Sequence, residues 1–200
     1  FHQLPPNEVP DNYLWSTTYG SEVQDMFYDI QPTVDDALIV TGYKASDVWL
    51  LKMDQSGNIQ WERIFIFGNS GIGRAVQSTS DGGFVLTGNT SETGDGALFI
   101  LKTNSMGIEE WRQIYDGNIS QNDIGHSIKQ TTDGGYVIVG QSEINNNGSS
   151  DFWLIKTNGL GIEEWNRSWD IPGTDVAYSV KQTVDEGYII CGYTNGPAIG

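Results

Sequence analysis

The chain contains one cysteine, Cys191, so no disulfide can form within it and its fold must rest on packing and hydrogen bonds. Its setting in Tyr188-Ile189-Ile190-Cys191 reads as that of a small buried side chain. Histidine is almost as scarce: His2 and His126 leave little from which to build a multi-histidine metal site or a Ser-His-Asp triad. Basic residues number 10 against 26 acidic ones, for a net charge of −16. Such a surface repels phosphate backbones and argues against a nucleic-acid partner. No apolar run approaches the roughly 20 residues that span a bilayer as a helix, and no stretch keeps helical apolar spacing over three turns. A P-loop, a dinucleotide fingerprint, paired zinc ligands and a His-Glu-x-x-His helix are all missing. The first residue is Phe1, a start that fits a removed signal peptide or a trimmed chain.

What is abundant is β-forming and periodic. The 200 residues are 38% hydrophobic and 12% aromatic, enough for a folded core. Trp15, Trp61, Trp111 and Trp165 recur at spacings of 46, 50 and 54, and other blocks fall into register with them. A turn-plus-strand block runs seven positions from Asp35 to Gly42, Asp81 to Gly88, Asp133 to Gly140 and Asp185 to Gly192. A second block occurs as Val48-Trp49-Leu50-Leu51-Lys52, Leu98-Phe99-Ile100-Leu101-Lys102 and Phe152-Trp153-Leu154-Ile155-Lys156, each lysine nine residues before a marker tryptophan. Ahead of the Asp turn lies a further strand, at Tyr28 to Gln31, Arg74 to Gln77, His126 to Lys129 and Tyr178 to Lys181. Four antiparallel strands per unit follow, joined by turns in which Gly supplies positive φ and Asp bonds the backbone.

Repeated four-stranded antiparallel units point to an all-β fold of the β-propeller kind, about four blades or a fragment of a larger ring. The blocks resemble the tandem propeller repeats of large secreted and surface proteins of bacteria and archaea, over residues 13 to 192. They lack the kelch glycine doublet and the Gly-His to Trp-Asp pairing of WD blades. Asp54-Gln55-Ser56-Gly57-Asn58-Ile59-Gln60-Trp61 is similar in part to the tryptophan-docking motif of quinoprotein propellers, one residue short between the acid and Ser-Gly. The resemblance implies export or display at the cell surface.

Residues 1–14, with Pro5, Pro6 and Pro10, read as an extended arm, and residues 15–200 as repeat units starting near positions 15, 61, 111 and 165. Trp15 to Tyr19 reads as a lone fourth strand, while the last unit stops after its second strand at Gly192. A sheet so cut short offers an open edge to another copy of the chain or to the arm.

Candidate chemistry is thin. Asp25, Asp123 and Asp175 stand three residues before Tyr28, His126 and Tyr178. They read either as fasteners of loop amides or as part of an oxygen cluster for a cation such as calcium. His126, aligned with Tyr28, Arg74 and Tyr178, reads as channel lining or as a ligand contact. Sequons at Asn89, Asn118, Asn147 and Asn166 are candidate glycosylation sites. No catalytic residues and no obligatory cofactor stand out. The expectation is a non-catalytic extracellular or surface scaffold that binds other copies of itself, another surface protein or a glycan. The alternative is a fragment of a secreted carbohydrate-active or other propeller enzyme drawing on the same carboxylates.

Overall fold

Each repeat folds into one antiparallel sheet, because apolar residues alternate along short runs rich in β-branched and aromatic side chains, and each run ends in a tight turn. The computed structural model describes residues 16–20, 24–93, 96–116, 123–143, 148–169 and 171–196. The first sheet is β1 (Asp25–Pro32), β2 (Leu38–Lys44), β3 (Asp47–Met53) and β4 (Ile59–Phe65), paired in chain order. The second is β5 (Gly71–Ser78), β6 (Phe84–Thr90), β7 (Ala97–Thr103) and β8 (Glu109–Tyr115), and the third β9 (Ile124–Gln130), β10 (Tyr136–Ser142), β11 (Asp151–Thr157) and β12 (Glu163–Trp169). The fourth consists of β13 (Asp175–Gln182) and β14 (Tyr188–Thr194). The all-β expectation is met. Among the described residues no helix is long and apolar enough to cross a membrane.

The turns form for the reasons their residues suggest. Asp81 Oδ1 accepts from the Thr79 hydroxyl at 2.5 Å and the Gly83 amide at 3.0 Å, and Gly82 takes φ +82°. In the turn from third to fourth strand, Asn104 Oδ1 accepts from the amides of Met106 and Ile108 at 2.9 and 3.0 Å, and Asn158 repeats the pattern. These Asx turns set the register of the strand that follows.

One irregularity recurs in every sheet. The ladder of the first strand skips Tyr28, Arg74, His126 and Tyr178 in turn, a β-bulge at the same repeat position each time. Opposite stand Gly42, Gly88, Gly140 and Gly192, where a Cβ would overlap the carbonyl oxygens of Met26, Ile72, Ile124 and Val176. The glycine closing each Asp-to-Gly block is therefore required by close backbone approach.

Successive sheets pack face to face with their first strands side by side: β5 lies on β1 and β2, β9 on β5 and β6, and β13 on β9 and β10. Along each second strand one set of alternate residues faces the preceding sheet and the other faces the following one. Leu86 packs with Leu50 of the first sheet, whereas Val85 packs with Ile138 and Trp153 of the third. Side chains also bond backbone across the gaps, as Asp29 Oδ2 accepts from the Val76 amide at 3.0 Å and Gln130 Oε1 from the Ser80 amide at 2.8 Å.

Two details of the sequence reading need correction. Residues 16–20 form no strand, and Trp15 lies outside the described residues, as does the arm. Tyr19 instead packs on the first sheet with Phe27 and Trp49, and its hydroxyl donates to the Gly57 carbonyl, just as Tyr115 donates to Gly161. Cys191, expected inside, is exposed. Its counterparts Thr87 and Val139 are covered by the following sheet, and no described strand follows β14.

Candidate functional site

The bulges decide where the first candidate residues go. Each bulged residue leaves the ladder and turns to the side where the first strands lie together. Tyr28, Arg74, His126 and Tyr178 thereby form one row across all four sheets. The Arg74 guanidinium lies 5.1 Å from the Tyr28 ring centroid, and the His126 and Tyr178 rings meet edge to face at 5.2 Å. A second tier from the second strands supports the row. Tyr43 lies 6.3 Å from Tyr28, Asn89 Oδ1 accepts from Arg74 Nε at 2.9 Å, and Gln141 Oε1 stands 3.4 Å from His126 Nε2.

Burial pushes the His126 imidazole down to about 4; the Gln141 contact opposes that shift and the neighbouring Arg74 cation adds to it. The ring is neutral at pH 7. Its polar neighbour is an amide and not a carboxylate, which orients it without making it a base. The sequence alignment placed these four residues together correctly. It missed the second tier, whose signal was the position after each block glycine: Tyr43, Asn89, Gln141 and Tyr193.

The three aspartates are bonded in different ways. Asp25 Oδ1 accepts from the Ala45 amide at 3.0 Å, fastening the turn from second to third strand. At Asp123 and Asp175 it is the backbone amide that binds, to the carbonyls of Gly96 at 3.1 Å and Ser150 at 2.6 Å in the preceding unit. Gly71 makes the same bond to Ser46 at 2.8 Å, so this tie needs no carboxylate. Both oxygens of Asp175 are buried without a hydrogen-bond partner among the described residues. Among those residues no three His, Cys, Asp or Glu side chains gather into a group that could hold a metal ion. Asp25, Asp123 and Asp175 are thus not brought together as an oxygen cluster.

Of the sequons, Asn118 and Asn147 lie outside the described residues. Asn89 is half-buried and engaged by Arg74, while Asn166 is exposed on β12 and donates to Glu163 at 2.6 Å.

Sequence reasoning also overlooked an ionic staple. The next-to-last residue of each third strand is a lysine that reaches the turn aspartate of its own sheet: Lys52 to Asp35 at 2.6 Å, Lys102 to Asp81 at 2.8 Å and Lys156 to Asp133 at 2.9 Å. A bulge in the fourth strand turns Glu110 and Glu164 onto Lys102 and Lys156, each at 2.8 Å. Burial works against the Asp81 carboxylate, but Lys102, Thr79 and the Gly83 amide outweigh it and hold Asp81 down to about 2.

The fourth sheet presents two apolar surfaces that its predecessors keep covered. On the side that in earlier sheets meets the next sheet, Ile189 is 63% exposed where Val85 and Val137 are at 0%. On the opposite side a cleft of about 450 Å³ opens between the third and fourth sheets, lined by Leu154, Trp165, Arg167, Trp169, Tyr188 and Ile190.

Against models of protein families and against curated proteins, the chain finds no match.

Proposed function

We propose that this chain is a non-catalytic scaffold and binding module, a set of about four blades of β-propeller type whose fourth sheet is the binding end. Support for the propeller reading comes from the meander of each sheet and the row of first strands side by side. The resemblance of the repeats supports a place outside the cell or at its surface. There the module would join other copies of itself, another surface protein or a glycan.

The observation that carries the binding role is the bare far face of the fourth sheet. Ile189 and Cys191 are exposed there, although the equivalent Val85, Val137, Thr87 and Val139 are fully buried in earlier sheets. Contiguous apolar surface beside an open strand edge favours association. Sedimentation of the chain over a wide concentration range is the test. Self-association that Ile189→Lys abolishes, in a variant with an unchanged circular dichroism spectrum, is expected. Identical monomers at every concentration for both proteins would overturn the self-assembling form of this reading.

A further inference from the structure

The row of bulged residues has a centre and two ends of different chemistry. At the ends, the first and fourth sheets each contribute two tyrosines, Tyr28 with Tyr43 and Tyr178 with Tyr193. In the centre the second and third sheets each contribute a planar polar pair, Arg74 with Asn89 and His126 with Gln141. The same bulge recurs in every sheet, so the contrast comes from the side chains and not from the backbone. The aromatic ends are open to solvent, Tyr28 by 43% and Tyr178 by 54%, while Arg74 and His126 are half-buried.

Arg74 is a cation held in place without an anion. Lys44, Lys52, Lys102, Arg112 and Lys156 each pair with a carboxylate. Arg74 has no such partner among the described residues. Its Nε donates to Asn89 Oδ1 at 2.9 Å, its guanidinium lies 5.1 Å from the Tyr28 ring centroid, and its two Nη groups meet no acceptor among those residues. Burial disfavours its charge, and only Tyr28 opposes that effect. The centre is also rich in donors. Asn89 spends its oxygen on Arg74 and keeps the protons of Nδ2, and His126 turns Nε2 to Gln141 and leaves Nδ1. Gln141 in turn donates from Nε2 to Ser150 Oγ at 3.1 Å, which fixes it from behind. A guanidinium edge fits the two oxygens of a carboxylate, amide and imidazole groups suit hydroxyls, and a tyrosine face suits the apolar face of a sugar ring.

We propose that the row binds an acidic saccharide, a pyranose bearing one carboxylate. The carboxylate sits on the Nη edge of Arg74, ring hydroxyls meet Asn89 and His126, and an apolar ring face lies on Tyr178. The net charge of −16 narrows the class: a polyanion is repelled as a whole, whereas one carboxylate beside a half-buried guanidinium feels a short-range attraction that salt screens little. The site is separate from the bare face of the fourth sheet and is tested independently of it.

The probe is methyl β-D-glucuronide, titrated into the 200-residue chain and followed by isothermal titration calorimetry, with methyl β-D-glucoside and acetate as the two halves of the ligand. Saturable binding of the glucuronide is expected, with the glucoside and acetate each weaker by about tenfold or more. Arg74→Met should remove the preference for the acid, Arg74→Lys should restore it only in part because it returns the charge without the fork, and Tyr178→Ser should weaken both sugars. Absence of saturation, as when a carboxylate elsewhere in the chain already holds Arg74, overturns the proposal. So does equal binding of glucoside and glucuronide, or an unchanged affinity in a folded Arg74→Met chain. Should that variant fail to fold, the comparison of the three ligands on the unaltered chain still decides. Free glucuronic acid separates the two sources of such a sugar: affinity equal to that of the glycoside assigns the end of a glycan, and tighter binding of the free acid assigns the monosaccharide.

Discussion

His126 should make the protein lose stability in mildly acidic solution, well before its carboxylates matter. The ring is held at about 4 in the folded chain, against 6.5 for a free imidazole. Arg74 faces it in the row, Tyr178 covers its edge and Gln141 supplies its polar contact. Above pH 6.5 neither folded nor unfolded chain binds a proton there, so the site has no pH dependence. As pH falls below 6.5 the unfolded chain takes up the proton and the folded chain does not, and stability declines until the folded ring titrates near 4. At 1.36 kcal/mol per unit the full loss is about 3 kcal/mol, with about 2 kcal/mol already gone at pH 5. Asp81, held down to about 2, stabilises the fold at neutral pH, and that contribution is lost only as pH falls from about 4 toward 2. The interval from 6.5 to 5 therefore isolates the imidazole. Urea unfolding of the wild type and of His126→Gln across that interval gives the measurement. The two proteins should diverge in slope, the wild type losing about 2 kcal/mol more. Parallel curves would show that the ring is not held neutral by the fold.

Gly140→Ala should cost roughly 2 kcal/mol or more although the residue has no positive φ, because its Cβ would overlap the Ile124 carbonyl across the bulge; a loss under about 0.5 kcal/mol in urea unfolding would dismiss the close approach. Lys156→Met should destabilise by about 1 kcal/mol, since Asp133 and Glu164 are each about half exposed and water screens them; a double-mutant cycle with Asp133→Asn should return a favourable coupling, and zero coupling would remove the staple. Trp111→Ala should cost about 3 kcal/mol and Trp165→Ala clearly less, because the first is closed in by Trp153 and Tyr136 while the second lines the open cleft; equal losses in thermal unfolding would contradict this difference.

The sheets were legible in the sequence because each needed only local signals: alternating apolar residues, an Asp or Asn to bond the turn, a glycine to make it. Strand ends were less legible. Asp25 and Asp47 extend β1 and β3 beyond their apolar cores, since a polar side chain at a strand end is solvated either way. The bulge was visible only as the constant seven-residue distance from Asp to Gly, and its cause is a register shift that no single strand encodes. The Lys–Asp staples had both members in plain view, yet their pairing depends on which strand lies beside which turn. Cys191 was misread for a related reason. An apolar strand implies a buried face only when something covers it, and the cover for β14 is not local to β14.

The two ends of the stack are unlike, and this bears on how copies could meet. The first sheet's outer face is already closed: Trp49 and Met53 are at 1%, Leu51 at 0%, and Tyr19 packs there with its hydroxyl bonded to Gly57. The fourth sheet's far face is bare. Head-to-tail joining would have to displace Tyr19 from its packing and lose that hydrogen bond, whereas two bare faces can meet with no prior contact broken. Association through Ile189 is therefore expected to be isologous, pairing like face with like face and stopping at a dimer, whereas a heterologous contact propagates unless its rotation closes a ring. Sedimentation equilibrium should therefore give a species of twice the chain mass and nothing larger as concentration rises. Species that grow beyond a dimer with concentration would show a heterologous contact, in which like faces do not meet.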